Sequence, residues 1–573
     1  MNPLLKKITS MRKFRTKLIA LALAGVLTLG MLTGCGQTQS VTQAASGTRV
    51  TETEVAATGL EAQDTGAAVL AAQGFEFDEE DFLTTWEAAS ATKVALDGSS
   101  ITVEGQGAVA EGSTLRISAP GTYVLSGTLD QGQVAVNVGN DEEVRLVLDG
   151  VTITNQGAPA ILIEEADRAY ITLAEGSINT LTMAAALTAA AEAQGVSDTA
   201  VEETEDSDDA ADSVPDGVIY SKGDLTLNGS GSLKVNGSAK HGIVGKDDLR
   251  ITGGVFDITA ASDAFRGKDL IAIHSGEFEI LAGADAFQSG NAEEADKGFI
   301  VIEGGRFQIK SGADGLQAET ALVIEDGDFD IESGDDGIHA DVSVLVLGGD
   351  LEVLKSYEGL ESAEVTIQGG KISLVSSDDG INTSGEKGLS LEGGFVSVNA
   401  EGDGIDLNGS GAMSGGTLLV HGPTNSGNGA MDYNGDFIQS GGLLIAAGSS
   451  GMAQGPSASS TELSVQIFLT SQAAGSLVRV EAEDGKVIAA FRPVKAFSSL
   501  VVASPEFVSG ETYLVYVGGS TTGEEADGLV TGGAFTGGTE AVSFEISGSV
   551  TQAVQEGASA GGGMRGGMKR PGN

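Results

Sequence analysis

The chain has 573 residues with 81 acidic and 31 basic side chains, and its formal net charge at pH 7 is −50. This charge excludes nucleic acid as a favoured partner, because phosphate backbones are bound by Lys and Arg surfaces. The 85 glycines, 9 prolines and single cysteine exclude a Pro-rich linker protein and an intramolecular disulfide framework. Hydrophobic residues make up 41% of the chain, too many for a wholly disordered acidic protein, so an all-β, Gly-rich repeat protein remains.

The N-terminus has the pattern of an export signal. Six basic residues within positions 6–17 precede an apolar stretch at 18–32, which is shorter than the ~20 residues of a membrane-spanning helix. The stretch ends in Leu-Thr-Gly-Cys35, which resembles a bacterial lipobox. We therefore predict a signal peptide at 1–34, lipidation of Cys35, and an extracellular protein anchored by lipid at the bacterial cell membrane or surface. The alternative is an uncleaved membrane anchor. The composition of residues 35–74 predicts a flexible tether after the lipidated cysteine.

A period of about 22 residues organises the middle of the predicted domain at 75–455, with degenerate copies back to Asp216 and forward to Ser450. Each unit has an alternating apolar run, a Gly-Gly corner, a second alternating run and a turn that carries an acid; clear copies begin at Leu249, Phe299, Val365 and Leu389. Alternation with a period of two excludes helices, and the unit is too short for a propeller blade. One coil of a parallel β-helix fits this unit, whereas the Asn-containing consensus of a leucine-rich repeat, the alternative architecture, is missing.

Equivalent apolar positions in successive units predict a ladder of side chains inside the β-helix. The predicted ladder consists of Phe256, Phe278, Phe307, Phe329, Leu351, Ile372, Val396 and Leu418.

The segments that flank or interrupt the repeat differ from it in composition. Residues 75–95, which hold the only tryptophan, Trp86, are predicted to cap the open first coil. An Ala-rich and then acidic run at 183–212 predicts a disordered, solvated insertion. The period fails after about residue 455, and four apolar runs predict a small antiparallel β cap at 456–550, followed by a disordered Gly-rich tail at 551–573.

One acidic residue recurs in the turn of each coil, and stacking in register would align these acids along one edge. The column consists of Asp263, Asp285, Asp314, Asp336, Glu358, Asp379 and Asp403. Two carboxylates ~4.8 Å apart repel by ~3.5 kcal/mol at an effective dielectric of ~20, so water and salt, protons or divalent cations must neutralise them. Ca²⁺ accepts about 6–8 oxygens in irregular geometry, so we predict calcium as the cofactor, with Asp335, Asp378 and Asp406 as further ligands. The alternative is a solvated edge with outward side chains.

Several motifs carry a resemblance to a known family. They include Gly-Lys-Asp at Gly245 and Gly267, the run from Val218 to Leu227, and the Asp-Gly-Ile turns. The chain resembles, over about residues 75–550, the bacterial surface family of carbohydrate-binding proteins with a polysaccharide-lyase-like right-handed parallel β-helix. This resemblance implies calcium binding and affinity for cellulose or acidic sugars, without established catalysis. Asp-Ala-Phe replaces Asp-Gly-Ile at Asp263 and Asp285, where the transfer of metal ligands is weaker.

Three functions remain open: a carbohydrate-binding protein, a lyase or hydrolase of uronate polymers, and a structural adhesin without a glycan ligand. A lyase needs a Lys or Arg base near calcium, and Arg266, Lys268, Lys246 and Lys355 are candidates that equally suit surface cations beside the acids. No catalytic residue is assigned. The four histidines have no metal-binding or triad spacing and are interpreted as incidental.

Scattered aromatic residues are the candidate platforms for sugar rings. We predict Tyr357, Phe395 and Tyr433 as carbohydrate-binding residues. Because a bare anionic polysaccharide would be repelled, the sequence favours calcium-mediated binding of a pectate-like polysaccharide over stacking on cellulose. The expected partners are one of these polysaccharides and, through the lipid anchor, a membrane, and the protein is expected to be a monomer.

Overall fold

The computed structural model describes residues 74–185 and 214–560, so the predicted signal peptide, Cys35, nearly all of the tether and most of the insertion lie outside the described residues. The described chain is all-β, with a single 3₁₀ turn at Glu80–Phe82. About 12 solenoid turns follow one another about 24 residues apart, which confirms the predicted β-helix with a slightly longer mean period. No helix in the described residues has the length and apolar character that a membrane span requires.

The N-terminal end of the solenoid is built from longer strands and two hairpins. Its strands are β1 (Thr92–Gly98), β2 (Ser100–Glu104), β3 (Ala108–Glu111), β4 (Thr114–Ile117), β5 (Gly121–Leu129), β6 (Gln133–Gln156), β7 (Ile161–Leu173) and β8 (Ile178–Ala184). β1 pairs with β2 and β3 with β4 in antiparallel fashion, whereas β1 pairs with β5, and β5 with β6, in parallel. The two hairpins therefore lie at the end of the coil stack.

The central coils contain short strands that pair in parallel with their equivalents in the next coil. They are β9 (Gly217–Ser221), β10 (Asp224–Gly229), β11 (Ser232–Gly237), β12 (His241–Gly245), β13 (Asp248–Ile251), β14 (Val255–Ala260), β15 (Phe265–Gly267), β16 (Leu270–Ile273), β17 (Glu277–Ala282), β18 (Phe287–Ser289), β19 (Phe299–Ile302), β20 (Arg306–Lys310), β21 (Leu316–Ala318), β22 (Ala321–Ile324), β23 (Asp328–Glu332), β24 (Ile338–Val346), β25 (Asp350–Ser356), β26 (Leu360–Ile367), β27 (Lys371–Ser376), β28 (Ile381–Leu391), β29 (Phe395–Ala400), β30 (Ile405–Leu407), β31 (Gly411–Met413), β32 (Thr417–His421), β33 (Asp432–Tyr433), β34 (Phe437–Gln439) and β35 (Leu443–Gly448). In most of these coils a short strand follows the acidic turn, a third strand that the repeat pattern did not show.

The predicted inward ladder is present, since its members pair in register from Phe256 to Leu418. The rings of Phe307 and Phe329 stack with centroids 4.4 Å apart, and those of Phe278 and Phe307 lie 4.7 Å apart. The second glycine of each Gly-Gly corner makes this packing possible. Gly254 has a φ of +126°, and a Cβ there would lie 2.9 Å from the ring of Phe256.

Residues 75–81, the first part of the predicted cap, do not cover the first coil, contrary to the prediction from sequence. Phe75 and Phe77 pack on outward apolar side chains of central coils, in a cluster that includes Val301. Further along, the buried carboxylate of Asp81 accepts a hydrogen bond of 2.8 Å from the hydroxyl of Thr226. The segment therefore crosses the side of the solenoid, because its apolar and polar anchors lie there.

The C-terminal cap is antiparallel, as predicted. Its strands are β36 (Ser464–Gln472), β37 (Val478–Ala482), β38 (Val487–Phe491), β39 (Phe497–Ala503), β40 (Thr512–Val517), β41 (Ser520–Thr521), β42 (Glu524–Ala526), β43 (Leu529–Thr531), β44 (Phe535–Thr536), β45 (Thr539–Glu545) and β46 (Val550–Val554). β39 pairs antiparallel with both β35 of the last coil and β36, so the cap continues the coil stack. β46 pairs in parallel with β36, so the predicted start of a disordered tail at 551 falls within a strand.

Candidate functional site

The acidic turns are held in place by the strands that follow them. Asp336, for example, lies two residues before β24. The residue after the acid must be small, because a Cβ on Gly337 would lie 2.7 Å from the carbonyl oxygen of Gly359 in the next coil. The acid-Gly and acid-Ala pattern of the repeat thus permits close stacking of successive turns.

The seven turn acids form a column in which most carboxylates bind the backbone of the next coil. The N–H groups of Asp285, Asp314, Asp336 and Glu358 donate to Oδ1 of the preceding turn acid at 2.9–3.2 Å. Asp403 donates to Asp379 Oδ1 in the same way at 2.6 Å. The predicted alignment of these acids is therefore present, but the carboxylates point along the column rather than outward.

Glu358 interrupts this series of hydrogen bonds. Its longer side chain places Oε1 3.1 Å from the amide nitrogen of Asn382, which donates to it. The column thus divides into a part from Asp263 to Glu358 and a part that begins at Asp379.

Burial makes the column unfavourable to negative charge. Asp263, Asp285, Asp314, Asp336 and Glu358 are buried, with exposed fractions of 4–8%, and the later acids of the column are half-buried. Burial, aided by neighbouring carboxylates, raises the pKa of Asp285 to about 8 and that of Asp336 to about 9. In the absence of a cation, protons therefore reside on part of the column near neutral pH.

The same effect reaches the half-buried part of the column. Burial and neighbouring carboxylates raise the pKa of Asp379 to about 6 and that of Asp403 to about 7, although backbone N–H donors oppose the shift. Burial also raises the pKa of Glu358 to about 7. These carboxyls titrate in the physiological range, so a cation competes with protons for them.

Two histidines lie beside the column, so the interpretation of all histidines as incidental is wrong. His241 Nδ1 lies 3.1 Å from Asp263 Oδ2, at the first acid of the column. His339 Nδ1 lies 3.5 Å from Asp314 Oδ2 and 3.8 Å from Asp336 Oδ2. Hydrogen bonds to Asp314 and Asp341 raise the pKa of His339 to about 11, so its imidazolium supplies positive charge to this part of the column.

Three groups along this edge place ligand atoms within 4.8 Å of one another. They are Asp314 with Asp336 and His339, Asp336 with Glu358 and Glu361, and Asp379 with Asp403 and Asp406. The first already contains a cationic imidazole. The third has three carboxylates and no histidine, and Asp432 pairs with Asp406 in the next coil. Its all-oxygen composition and partial solvent access are those that a hard divalent cation requires.

Four predicted metal ligands lie outside these groups: Asp263, Asp285, Asp335 and Asp378. Asp335 and Asp378 lie in a neighbouring column of turn residues with Tyr357 between them, since Tyr357 N–H donates to Asp335 O and Asp378 N–H to Tyr357 O. Rather than joining a group of metal ligands, Asp378 accepts a hydrogen bond from the Tyr357 hydroxyl, and this raises the pKa of Tyr357 to about 12.

The sequence interpretation missed a polar row adjacent to the column. It lies three residues after each turn acid and pairs in register through Arg266, Gln288, Gln317, His339, Glu361, Asn382, Asp406 and Asp432. The signal was available, because every repeat has a polar residue at this position. Another missed group, Asp224 with Asp247 and Asp248, lies in earlier coils beside Arg250.

The three predicted aromatic platforms occupy different environments. Tyr357 is 47% exposed beside the column. Phe395 packs against the core shared with the C-terminal cap, and the Tyr433 hydroxyl donates to Gly455 O at 2.6 Å while its ring packs on the solenoid core. Packing, rather than access to a sugar, thus accounts for Phe395 and Tyr433, and Tyr357 is the predicted platform that lies exposed.

Comparisons with known proteins agree with the resemblance read from the repeat. Residues 111–380 match the family model described as "Carbohydrate-binding domain-containing protein". A protein of the same description from Acetivibrio thermocellus is 38% identical over 146 residues, which is 26% of this chain and 45% of that protein. The chain therefore spans less than half of the curated relative that it matches.

A solved structure is also similar in sequence. It is described as the polysaccharide lyase-like protein from C. thermocellum in a gadolinium derivative and is 31% identical. The similarity covers 48% of this chain and 97% of that chain, with a TM-score of 0.35.

Proposed function

Since residues 111–380 carry the match to a carbohydrate-binding domain family, we propose that the protein binds polysaccharide at the edge of the β-helix that holds the carboxylate column. The observation that carries this proposal is the group of Asp379, Asp403 and Asp406, whose ligand oxygens lie within 4.8 Å of one another. Ca²⁺ bound there neutralises the three carboxylates and stabilises the coils that supply them. Because Asp379, Asp403 and Asp406 are all partly exposed, a cation that they held would also be open to oxygens of a sugar.

The charge of the chain favours an acidic sugar as the calcium-bound ligand. With a formal net charge of −50, the protein repels a uronate polymer unless a cation bridges the two. Tyr357 lies exposed one coil before the turn that carries Asp378 and Asp379, and its ring offers an apolar surface to a sugar. A pectate-like chain thus meets both a cation and an aromatic ring along the edge.

The proposed role is binding without catalysis. Arg266, a candidate base, lies in the polar row six coils before Asp406, which is ~29 Å at ~4.8 Å per coil. A base at that distance does not reach a sugar held at the calcium group. Together with lipidation at Cys35, the proposal describes an extracellular, membrane-anchored monomer that holds polysaccharide at the cell surface.

Affinity electrophoresis tests this proposal with pectate, soluble cellulose derivatives and xylan, in Ca²⁺ and in EDTA. We expect pectate to retard the protein in Ca²⁺ and EDTA to abolish the retardation. Asp403→Asn should reduce the retardation, whereas Asp328→Asn, at an exposed acid on another face, serves as the matched control. If EDTA leaves the retardation by pectate unchanged, calcium does not mediate the binding. If no polysaccharide retards the protein in Ca²⁺, carbohydrate binding is refuted and a structural adhesin is favoured.

A further inference from the structure

A pocket at the N-terminal end of the solenoid contains the only tryptophan of the chain. Trp86 is half-buried and borders a cavity of about 420 Å³. Its apolar lining includes Ala91, Ala95 and Val124, and its polar lining, which we call the rim, consists of Lys93, Thr102, Glu104, Ser126 and Asp149. This volume is within the range of about 300–1,000 Å³ that small-molecule sites occupy.

Strand register explains why these side chains share one face. Lys93 lies opposite Glu104 across the β1–β2 hairpin, and Ala95 lies opposite Thr102. Side chains alternate along β1, so the buried Val94 points into the solenoid while Lys93 and Ala95 point out. The pocket is therefore an outward sheet face that Trp86 borders.

The backbone around Trp86 is anchored on both sides. Before it, Arg145 Nη1 donates to Leu83 O at 2.6 Å; after it, the Thr92 hydroxyl donates to Gln106 O at 2.7 Å. Between them, a turn is closed by the Ala91 N–H, which donates to Glu87 O. A short segment fixed at both ends presents the indole at low entropic cost to a ligand.

The polar groups of the rim are free to bind a ligand. Within residues 74–185 and 214–560, Lys93, Glu104 and Asp149 form no side-chain hydrogen bond or ion pair, and the side chains of Lys93 and Glu104 are exposed. One cation and two anions give the rim a net negative charge, which repels a uronate. A neutral sugar fits this combination, because hydroxyls bond to Glu104 and Lys93 while the apolar C–H face of the ring packs on the indole.

We propose that the Trp86 pocket is a second, calcium-independent carbohydrate subsite that takes a neutral pyranose unit, such as one in a β-linked glucan or xylan. The inference rests on the proposed function for the class of its ligand, but not on calcium. The subsite lies in the first coils, away from the carboxylate column. A polymer that contacts both gains avidity from effective concentration.

The single tryptophan provides a direct readout of the pocket. The full chain in EDTA is titrated with xylohexaose, cellohexaose and hexagalacturonate while the indole emission is recorded. We expect a saturable change with a neutral hexasaccharide and none with hexagalacturonate. Glu104→Gln should weaken binding of the neutral hexasaccharide about fivefold, because a charge-assisted hydrogen bond is lost. Asp97→Asn, at an exposed acid of the paired strand β1, should bind as the unmodified chain does.

A second readout separates this subsite from the calcium site. Calorimetry of Trp86→Ala in EDTA should show loss of binding to the neutral hexasaccharide, while retardation by pectate in Ca²⁺ persists. Unchanged indole emission with both neutral hexasaccharides, or an equal response in Glu104→Gln, would overturn the subsite. If the subsite is overturned but pectate still retards the protein in Ca²⁺, the calcium-dependent function remains supported. If pectate does not retard the protein but a neutral hexasaccharide gives a saturable change in indole emission, the calcium-dependent function is overturned and the subsite is not.

Discussion

Replacing Asp379 by Asn should change the stability of the protein in opposite directions with and without calcium. Asn keeps an oxygen that accepts the Asp403 N–H, a bond of 2.6 Å in the structure, but removes the negative charge. In EDTA the substitution removes repulsion from neighbouring carboxylates. In Ca²⁺ it removes an anionic ligand.

The magnitudes follow from the environment of Asp379. Burial and nearby acids raise its pKa to about 6 from the ordinary 3.8, so ionisation disfavours the folded state. The penalty is absent below the unfolded-state pKa of 3.8, grows between that value and about pH 6, and is fully present at pH 8. It then amounts to ~1–2 kcal/mol after allowance for solvent screening. Loss of an anionic ligand that weakens Ca²⁺ binding tenfold costs ~1.4 kcal/mol under saturating calcium.

The assay is thermal unfolding at pH 8, followed by circular dichroism in millimolar Ca²⁺ and in EDTA. We expect Asp379→Asn to melt above the unmodified chain in EDTA and below it in Ca²⁺. Asp379→Ala should melt lower in both buffers, because it leaves the Asp403 N–H without its acceptor, at ~1–3 kcal/mol. Asp328→Asn is the control, and shifts of the same sign in both buffers for Asp379→Asn would refute the calcium assignment.

Three further outcomes are expected. In EDTA the midpoint concentration of urea denaturation should decrease as the pH is raised from 5 to 8. The folded-state pKa values of Asp285 and Asp336 are raised to about 8 and about 9, so deprotonation disfavours the folded state, and an increasing midpoint would contradict this. Tyr357→Ala should weaken retardation by pectate while changing the free energy of unfolding by less than ~0.5 kcal/mol, since the side chain is 47% exposed; unchanged retardation would remove Tyr357 from the site. Phe307→Ala should lower the free energy of unfolding, measured by urea denaturation, by ~3–5 kcal/mol, because the ring is fully buried between two stacked rings. A decrease below ~1 kcal/mol would mean that the ladder contributes little to stability.

Much of the central solenoid could be predicted from the repeat. Gly-Gly corners, alternating apolar positions and one acid per turn all recur about once per coil, so a register that aligns one position aligns the others. The Phe256-to-Leu418 ladder and the column of turn acids follow directly from that periodicity. Even the polar row through His339 and Glu361 was accessible, had the residues three after each acid been aligned as well.

Contacts without a period could not be predicted in this way. The Thr226 hydroxyl meets Asp81 across 145 positions of sequence, and Phe395 packs against a cap whose strands follow no repeat. The segment around Phe75 was consequently assigned to the end of the solenoid, although it lies along the side. The chemical character of a residue outside the repeat indicates the kind of group that it contacts, but it does not indicate where in the fold that group lies.

The repeat was enough to predict the β-helical coil, its inward ladder and the row of acids, because each depends on neighbours that recur along the chain. The tertiary structure decided where each carboxylate points, how Glu358 divides the column and which three acids lie near enough for one cation. Those features depend on distances of a few ångströms between different coils. Side-chain length and the next coil's backbone donors set these distances, and spacing in the sequence does not contain them.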